Sequence, residues 1–201
     1  MQKLAENDYP IHELIKARWS PRSFSDERVD DEVLLSLFEA ARWAPSSYND
    51  QPWTFIVARE HEDEETYQGI HDCLFEGNQS WARTAPVLGV SVARKRFEFN
   101  GEPNRHALHD AGLAMENLVL QAMDHGLYVH QMAGFDVEKV IETFDVPEHH
   151  EPVAGFALGY PGEPDQLPEE LQEEEKSGRS RKELEEFVFT GEWGTPSEFN
   201  P

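Results

Sequence analysis

The chain has a single cysteine, Cys73. An intrachain disulfide is therefore excluded, and no cysteine-based zinc site can be assembled within one chain. Cys73 sits beside Leu74 and Phe75 in a helical pattern and reads as a small buried apolar residue rather than a reactive thiol. Long hydrophobic runs are missing too: nothing approaches the roughly 18 apolar residues of a membrane span. The opening stretch, Met1 to Pro10, carries acids and no apolar core, so it does not read as a secretory signal. A soluble cytoplasmic protein is expected. Basic residues are scarce, 17 Lys and Arg against 40 Asp and Glu, for a net charge of −23. Nucleic acid and anionic membranes would be repelled, so neither is expected as a partner. Such an excess strains a compact fold by self-repulsion, and salt relieves it, since the screening length falls to about 3 Å at 1 M. A salt-rich cytoplasm is one reading of that composition; an acidic protein of ordinary surroundings is the other.

What is present suits one sizeable core: 201 residues, 38% hydrophobic, with aromatics spread throughout. Asp8 and Pro10 suit the start of a first helix, with Ile11, Leu14 and Ile15 on one face, ending near Ala17. Asp30 suits the cap of a second, whose stripe is Val33, Leu34, Leu37, Phe38 and Ala41, stopped by Pro45. Trp53–Ala58 reads as a strand, Glu64–Phe75 as a helix, and Val87–Val92 as a second strand. A long helix over Asn104–Asp124 is closed by Gly126. Leu127–Met132 reads as a third strand, Asp136 as the cap of a helix through Phe144, and Val153–Tyr160 as a fourth strand. This order predicts a mixed α and β domain, a four-strand sheet with helices packed around it. Residues 162–178 are acidic and Pro-containing, and read as an exposed, poorly packed excursion. The apolar Phe187-Val188-Phe189 beyond it has no nearby hairpin partner. As a strand it could cover an edge of its own sheet or a neighbour's.

The few bases are not scattered. Residues 16–28 hold Lys16, Arg18, Arg22 and Arg28, and residues 176–182 hold Lys176, Arg179, Arg181 and Lys182. Two such patches in so acidic a chain point to a bound anion, a phosphate above all, because the Arg fork matches its oxygens. The alternative is that these bases balance nearby acids, and clustering alone does not choose. A second signal is APSSYNDQPWTF, residues 44–55, between a helix end and a strand. Its turn residues expose backbone amides, and Asn49 and Gln51 offer donor and acceptor edges to a planar heterocycle. A third is His130-Gln131-Met132-Ala133-Gly134-Phe135 at a strand end, where small residues allow close approach of a ligand to the backbone.

RWSPRSF at 18–24, APSSYNDQPWTF at 44–55, HQMAGFD at 130–136, ALGYPGE at 157–163 and the ending RSRKELEEFVFTGEWG together resemble the FMN-dependent nitroreductase family. The resemblance spans nearly the whole chain in the right order. It implies an α+β fold, a mixed and largely antiparallel four- to five-stranded sheet flanked by helices. It also implies one domain over 1–201, working as a homodimer, with a tail, 179–201, exchanged onto the partner subunit. It implies FMN as cofactor, NADH or NADPH as reductant, and a small-molecule electron acceptor such as a quinone or nitroaromatic. Arg18, Ser20 and Arg22 match the segment that holds the FMN phosphate and ribityl chain, and Arg179 and Arg181 the C-terminal pair that reaches the phosphate. Pro45, Ser46, Ser47, Asn49 and Gln51 match the segment lining the flavin, usually from the partner. Met132, Ala133 and Gly134 match the strand end beside the isoalloxazine, where a backbone amide faces N5. Hydride delivery requires no protein acid or base, so no catalytic residue is assigned; the long helix 104–124 is expected to offer an apolar face to the partner. The sequence departs from the family at Glu183, where proline is frequent, and in the short segment between Val92 and Asn104, which in the family helps shape the substrate pocket. The alternative within the same fold is a flavin-dependent oxidase or dehydrogenase of a specific metabolite.

Three lesser candidates read as bland. Arg94-Lys95-Arg96 is expected to be a solvated strand end, and His149-His150 a solvated loop. His106 and Asp110, at i and i+4, could form half a metal site but lack completing ligands, and a surface or interface role is expected, with no bound metal.

Overall fold

The computed structural model describes residues 3–197. A four-stranded antiparallel sheet lies at its centre, in the order β1-β2-β4-β3, with β1 Trp53–Arg59, β2 Val87–Arg94, β3 Tyr128–Met132 and β4 His150–Gly159. Helices α1 Glu13–Ala17, α2 Asp31–Arg42, α3 Glu64–Cys73, α4 Glu76–Ala82, α5 Ala107–Asp124, α6 Val137–Thr143 and α7 Glu169–Lys176 surround it.

Period-two alternation along the strands builds two cores. On β1, Ile56 and Ala58 face one side with α3, while Trp53, Phe55 and Val57 face the other with α2 and α5. The first core gathers Tyr67, Ile70, Leu74 and Trp81 over Leu88, Val90, Val92 and Met132. The second gathers Leu34, Leu37, Met115, Leu118 and Val119 over Val87, Val129, Phe156 and Leu158. Covered on both faces, β2 is apolar almost without interruption. Gly89 is required within it: a Cβ there would stand 2.2 Å from Cζ of Phe156 and 2.8 Å from the Ile56 carbonyl.

Several sequence expectations shift. α1 starts at Glu13 with His12 as cap, its Nδ1 accepting the Leu14 amide at 3.2 Å, so Asp8 caps nothing and Ile11 and Ile15 stay exposed. The long helix begins at Ala107 because Asn104 turns back to accept the His106 amide through its side chain. α5 spends its apolar stripe within its own chain: of Leu108, Ala111, Met115, Leu118, Val119 and Ala122, all but Leu108 are buried against α2 and the sheet. Residues 162–178 are not a loose excursion. They carry a 3-10 turn and α7, and both Leu167 and Glu175 are buried. Phe187-Val188-Phe189 forms no strand of the sheet. It follows a 3-10 turn at Leu184–Glu186, and Phe189 bridges Pro196 instead. Phe187 and Trp193 are left exposed, and the part of the expected exchanged tail at 198–201 lies outside the described residues.

Candidate functional site

The N-terminal loop between α1 and the bridge of Phe24 to Pro161 is folded against the C-terminal segment by one buried acid. Glu175, on the last turn of α7, accepts the backbone amides of Arg22 at 3.0 Å and Ser23 at 3.2 Å. Neighbouring Glu174 pairs with the Arg22 guanidinium at 3.1 Å. On the other side of the loop, Nδ1 of His130 on β3 meets the Pro21 carbonyl at 2.8 Å, and its ring stacks on Trp81 at 4.5 Å. Burial first, and then Arg22, push the His130 pKa down to about 4, against the opposing pull of the Pro21 hydrogen bond. His130 is therefore a neutral donor at ordinary pH.

That construction brings Arg18, Ser20, Arg22, Arg179 and Arg181 to one cleft of about 340 Å³, together with Lys3, Trp19, Ser177 and Ser180. Five cations meet two carboxylates there, Glu174 and Glu175, in a chain of net charge −23. Burial lowers the Arg179 pKa, and Arg18 and Arg181 lower it further. Lys3 is lowered by burial too, partly restored by Glu175, and repelled by Arg22 and Arg179. Crowded, mutually repelling cations are relieved by an anion. The hydroxyls and guanidinium forks suit the several oxygens of a phosphate ester. Arg179 is held in place by the N-terminal arm, donating to the Lys3 carbonyl at 2.6 Å and the Lys16 carbonyl at 3.2 Å. The indole N–H of Trp19 is buried with no acceptor among the described residues. These are the features of an anion cradle, and its donor set fits a phosphorylated cofactor.

The second candidate segment is a strained turn. Tyr48, Asn49 and Gln51 all adopt left-handed backbone, with φ of 55°, 55° and 47°. Each such residue costs on the order of 1–3 kcal/mol and persists only where its surroundings dictate it. Arg94 holds the far end, its guanidinium on the Asp50 carbonyl at 3.0 Å and its amide on the Pro52 carbonyl at 2.8 Å. The buried Asp50 carboxylate accepts the Glu98 amide at 2.9 Å. Arg94 is thus structural rather than a solvated strand end; Lys95 pairs with Glu151, and Arg96 donates to the Gly101 carbonyl. Pro45, Ser46 and Ser47 line one shallow cavity with His106, His109 and Asp110, and Asn49 and Gln51 line another with Tyr48, Glu98 and Phe99. Asp110 is buried against the turn, which excludes the surface half of the surface-or-interface role expected of it.

At the third segment, Met132 is buried at the end of β3, and the Gly134 carbonyl accepts the Phe75 amide at 3.0 Å and the Asn78 side chain at 2.9 Å. Met132, Ala133 and Gly134 line none of the three cavities above, and within one chain the cradle and the strained turn line separate cavities. The sequence reading missed Lys3, Trp19, Glu174, Glu175 and the His130 ring. The scarcity of bases flagged the arginines; nothing local flagged the acids and aromatics that position them.

An α+β layered domain with a phosphate-type cradle beside an edge strand is an architecture suited to a nucleotide-like cofactor. Residues 15–160 match the profile of the Nitroreductase family. The crystal structure of an oxidoreductase containing FMN superposes with a TM-score of 0.86 at 33% identity, covering 94% of this chain and 95% of that one. An uncharacterized 15.4 kDa protein of Mycolicibacterium smegmatis is 38% identical over 133 residues, 66% of this chain and 88% of its own. A Methanothermobacter thermautotrophicus protein, provisionally named NADH dehydrogenase/NAD(P)H nitroreductase, is 29% identical over 157 residues, 76% of this chain and 78% of its own. The chain belongs to the nitroreductase family.

Proposed function

We propose that this protein is an FMN-dependent NAD(P)H oxidoreductase that works as a homodimer. One observation carries the reading: arginines from both ends of a strongly acidic chain converge on a single cleft. Support comes from the FMN-containing structural relative and from the NAD(P)H-linked name of the Methanothermobacter thermautotrophicus one.

When bound, FMN would supply two-electron chemistry at N5, accepting hydride from NADH or NADPH and delivering it to a quinone or nitroaromatic in ping-pong order. The chain's part is to bind and orient. Arg18, Ser20, Arg22, Arg179 and Arg181 grip the phosphate end. Glu175 and His130 fix the backbone from which Arg22 projects. Asn49 and Gln51, set by the strained turn, offer amide edges to the ring, and Pro45, Ser46 and Ser47 carry that turn. Met132, Ala133 and Gly134, at and just beyond the end of β3, would offer backbone to the ring. Because the cradle and the turn open separately in one chain, two subunits are needed to enclose one cofactor, the turn of one facing the cradle of the other. The exposed Ile11, Ile15, Phe187 and Trp193 supply apolar surface for that contact, and the tail reaches the partner.

The test is the visible spectrum of the purified protein. A yellow protein whose flavin bands bleach on adding NADPH or NADH, and recover on adding a quinone, is expected. A flavin that neither nicotinamide reduces would move the assignment to an oxidase or dehydrogenase of the same fold. A colourless protein that takes up no FMN would overturn the proposal.

A further inference from the structure

The Asp110 side chain does something its sequence spacing to His106 did not indicate. It projects from the first turn of α5, its side chain is 4% exposed, and both of its oxygens are in use. Oδ2 accepts the backbone amide of Ser47 at 2.9 Å, and Oδ1 meets Nδ1 of His109 at 3.0 Å. That pairing places a proton on His109 Nδ1, so the imidazole braces the carboxylate.

The Ser47 amide opens the turn that carries three left-handed non-glycine residues. Burial does not hold them: Tyr48 is 81% exposed, its ring touching the peripheral Phe97 and Phe99 at 5.7 Å each, and Asn49 and Gln51 are exposed as well. The remaining bonds fall in two groups. Asn49 N–H to the Ser46 carbonyl at 3.0 Å, Asp50 N–H to the Ser47 carbonyl at 3.1 Å, Gln51 N–H to Ser46 Oγ at 3.0 Å and the Gln51 side-chain amide to the Asn49 carbonyl at 2.9 Å are internal and move with the turn. The anchors from Arg94, the Glu98 amide and the Asn104 side chain fall on residues 50–52 at its far end. Asp110 is the anchor from outside the turn at its near end. Without it the strained conformation is tied down on one side only.

We propose that Asp110 is the positioning residue of this turn: by accepting the Ser47 amide it fixes the strained backbone that sets Asn49 and Gln51 for the flavin ring. The proposal rests on the FMN reading only for the consequence at the cofactor; the anchoring itself is independent of it. A first-turn acid also favours a helix through the macrodipole. That role alone would change the stability of α5 and leave the turn untouched.

Two substitutions separate these roles. Asp110→Ala removes both charge and acceptor. Asp110→Asn removes the charge but keeps an amide oxygen to accept from Ser47. Hydrogen exchange over residues 46–52 and the FMN dissociation constant from flavin fluorescence are the readouts. A hydrogen bond to a carboxylate is worth a factor of roughly 10–100. Asp110→Ala is therefore expected to exchange at least tenfold faster across the turn and to bind FMN at least tenfold more weakly, with Asp110→Asn restoring both to within about threefold of wild type. Wild-type exchange in the turn of Asp110→Ala, or a change confined to α5, would overturn the proposal. Should Asp110→Ala not fold, Ser47→Pro deletes the same amide and leaves α5 intact; Ser46 is already extended, at φ −148° and ψ 156°, as a residue before proline must be. Loss of exchange protection in Ser47→Pro supports the anchor, and unchanged protection overturns it. If wild type itself takes up no FMN, the exchange arm still decides the role of Asp110, and the cofactor assignment alone falls.

Discussion

His130 makes the stability of this fold depend on pH in a direction fixed by its burial. Its pKa lies at about 4 in the folded chain, against about 6.5 for an unperturbed histidine. Between those values the unfolded chain holds more protons than the folded one, so folding opposes protonation. The contribution of His130 is fully present above about pH 6.5 and is lost as pH falls toward 4. At pH 5 the loss is about 2 kcal/mol, rising to roughly 3 kcal/mol near pH 4. For a chain of this size 2 kcal/mol corresponds to roughly 4–8 °C in Tm. The 40 acids titrate over part of the same range, so the informative quantity is a difference between two proteins. His130→Asn keeps an N–H donor near the position of Nδ1 for the Pro21 carbonyl and cannot take up a proton. It gives up the stack on Trp81, a cost that does not vary with pH. Urea unfolding of both proteins at pH 8 and pH 5 is expected to show their stability gap narrowing by about 2 kcal/mol at the lower pH. A gap that stays constant within roughly 0.5 kcal/mol would refute the assignment of a buried, neutral imidazole.

Arg22→Glu is expected to weaken FMN binding at least about 100-fold, from loss of a charge-assisted contact plus repulsion, while circular dichroism and sedimentation report a folded dimer; tight FMN binding by that variant would remove Arg22 from the cradle. Glu175→Ala leaves the Arg22 and Ser23 amides without their acceptor, a cost of about 2–5 kcal/mol for two buried donors. Because only α7 and the N-terminal loop depend on it, the cost is expected as local release, read as faster proteolytic nicking within residues 162–182, with wild-type nicking rates counting against the anchor.

The sheet was readable because it is sandwiched. Strands covered on both faces, such as β2, appear as continuous apolar runs, and the stripes of α2 and α5 repeat at helical spacing over several turns. α4 escaped notice for the opposite reasons. Its sequence, EGNQSWA, is short, includes Gly77 and Asn78, and buries only Trp81 and Ala82. It is separated from α3 by a break at Leu74, imposed by a bridge to Phe135 sixty-one positions away in the chain. α7 misled in another way. EELQEEEK has the composition of a solvated face, and the burial of Glu175 is created by amides more than 150 residues distant. Asp110 likewise read as a surface or interface residue beside His106, and only the fold, by placing the Ser47 amide against it, shows its partner. The arginines of the cradle could be found from sequence because bases are rare here; the acids and the histidine that position them could not, since acids are common and the partners of Glu175 and His130 are backbone groups.

Charge therefore acts on two scales in this molecule, and salt separates them. The whole-chain charge of −23 repels any phosphate approaching from solution, over a range of about 10 Å at 0.1 M salt and about 3 Å at 1 M. The cradle attracts the same phosphate through direct contacts, which salt weakens less once they are desolvated. Added salt also loosens the half-exposed pair of Arg22 with Glu174, which competes for the same guanidinium. An ordinary phosphate site loses affinity steeply as salt rises. Here the loss from screening the cradle is offset by relief of the global repulsion and by release of Arg22. FMN affinity measured across KCl concentrations from about 0.05 to 2 M is accordingly expected to stay level or rise, and Tm to rise alongside it. Affinity that falls by a factor of ten or more for each tenfold increase in KCl would mean that the cradle alone governs binding, and that the acidity of the rest of the chain has no hold on the site.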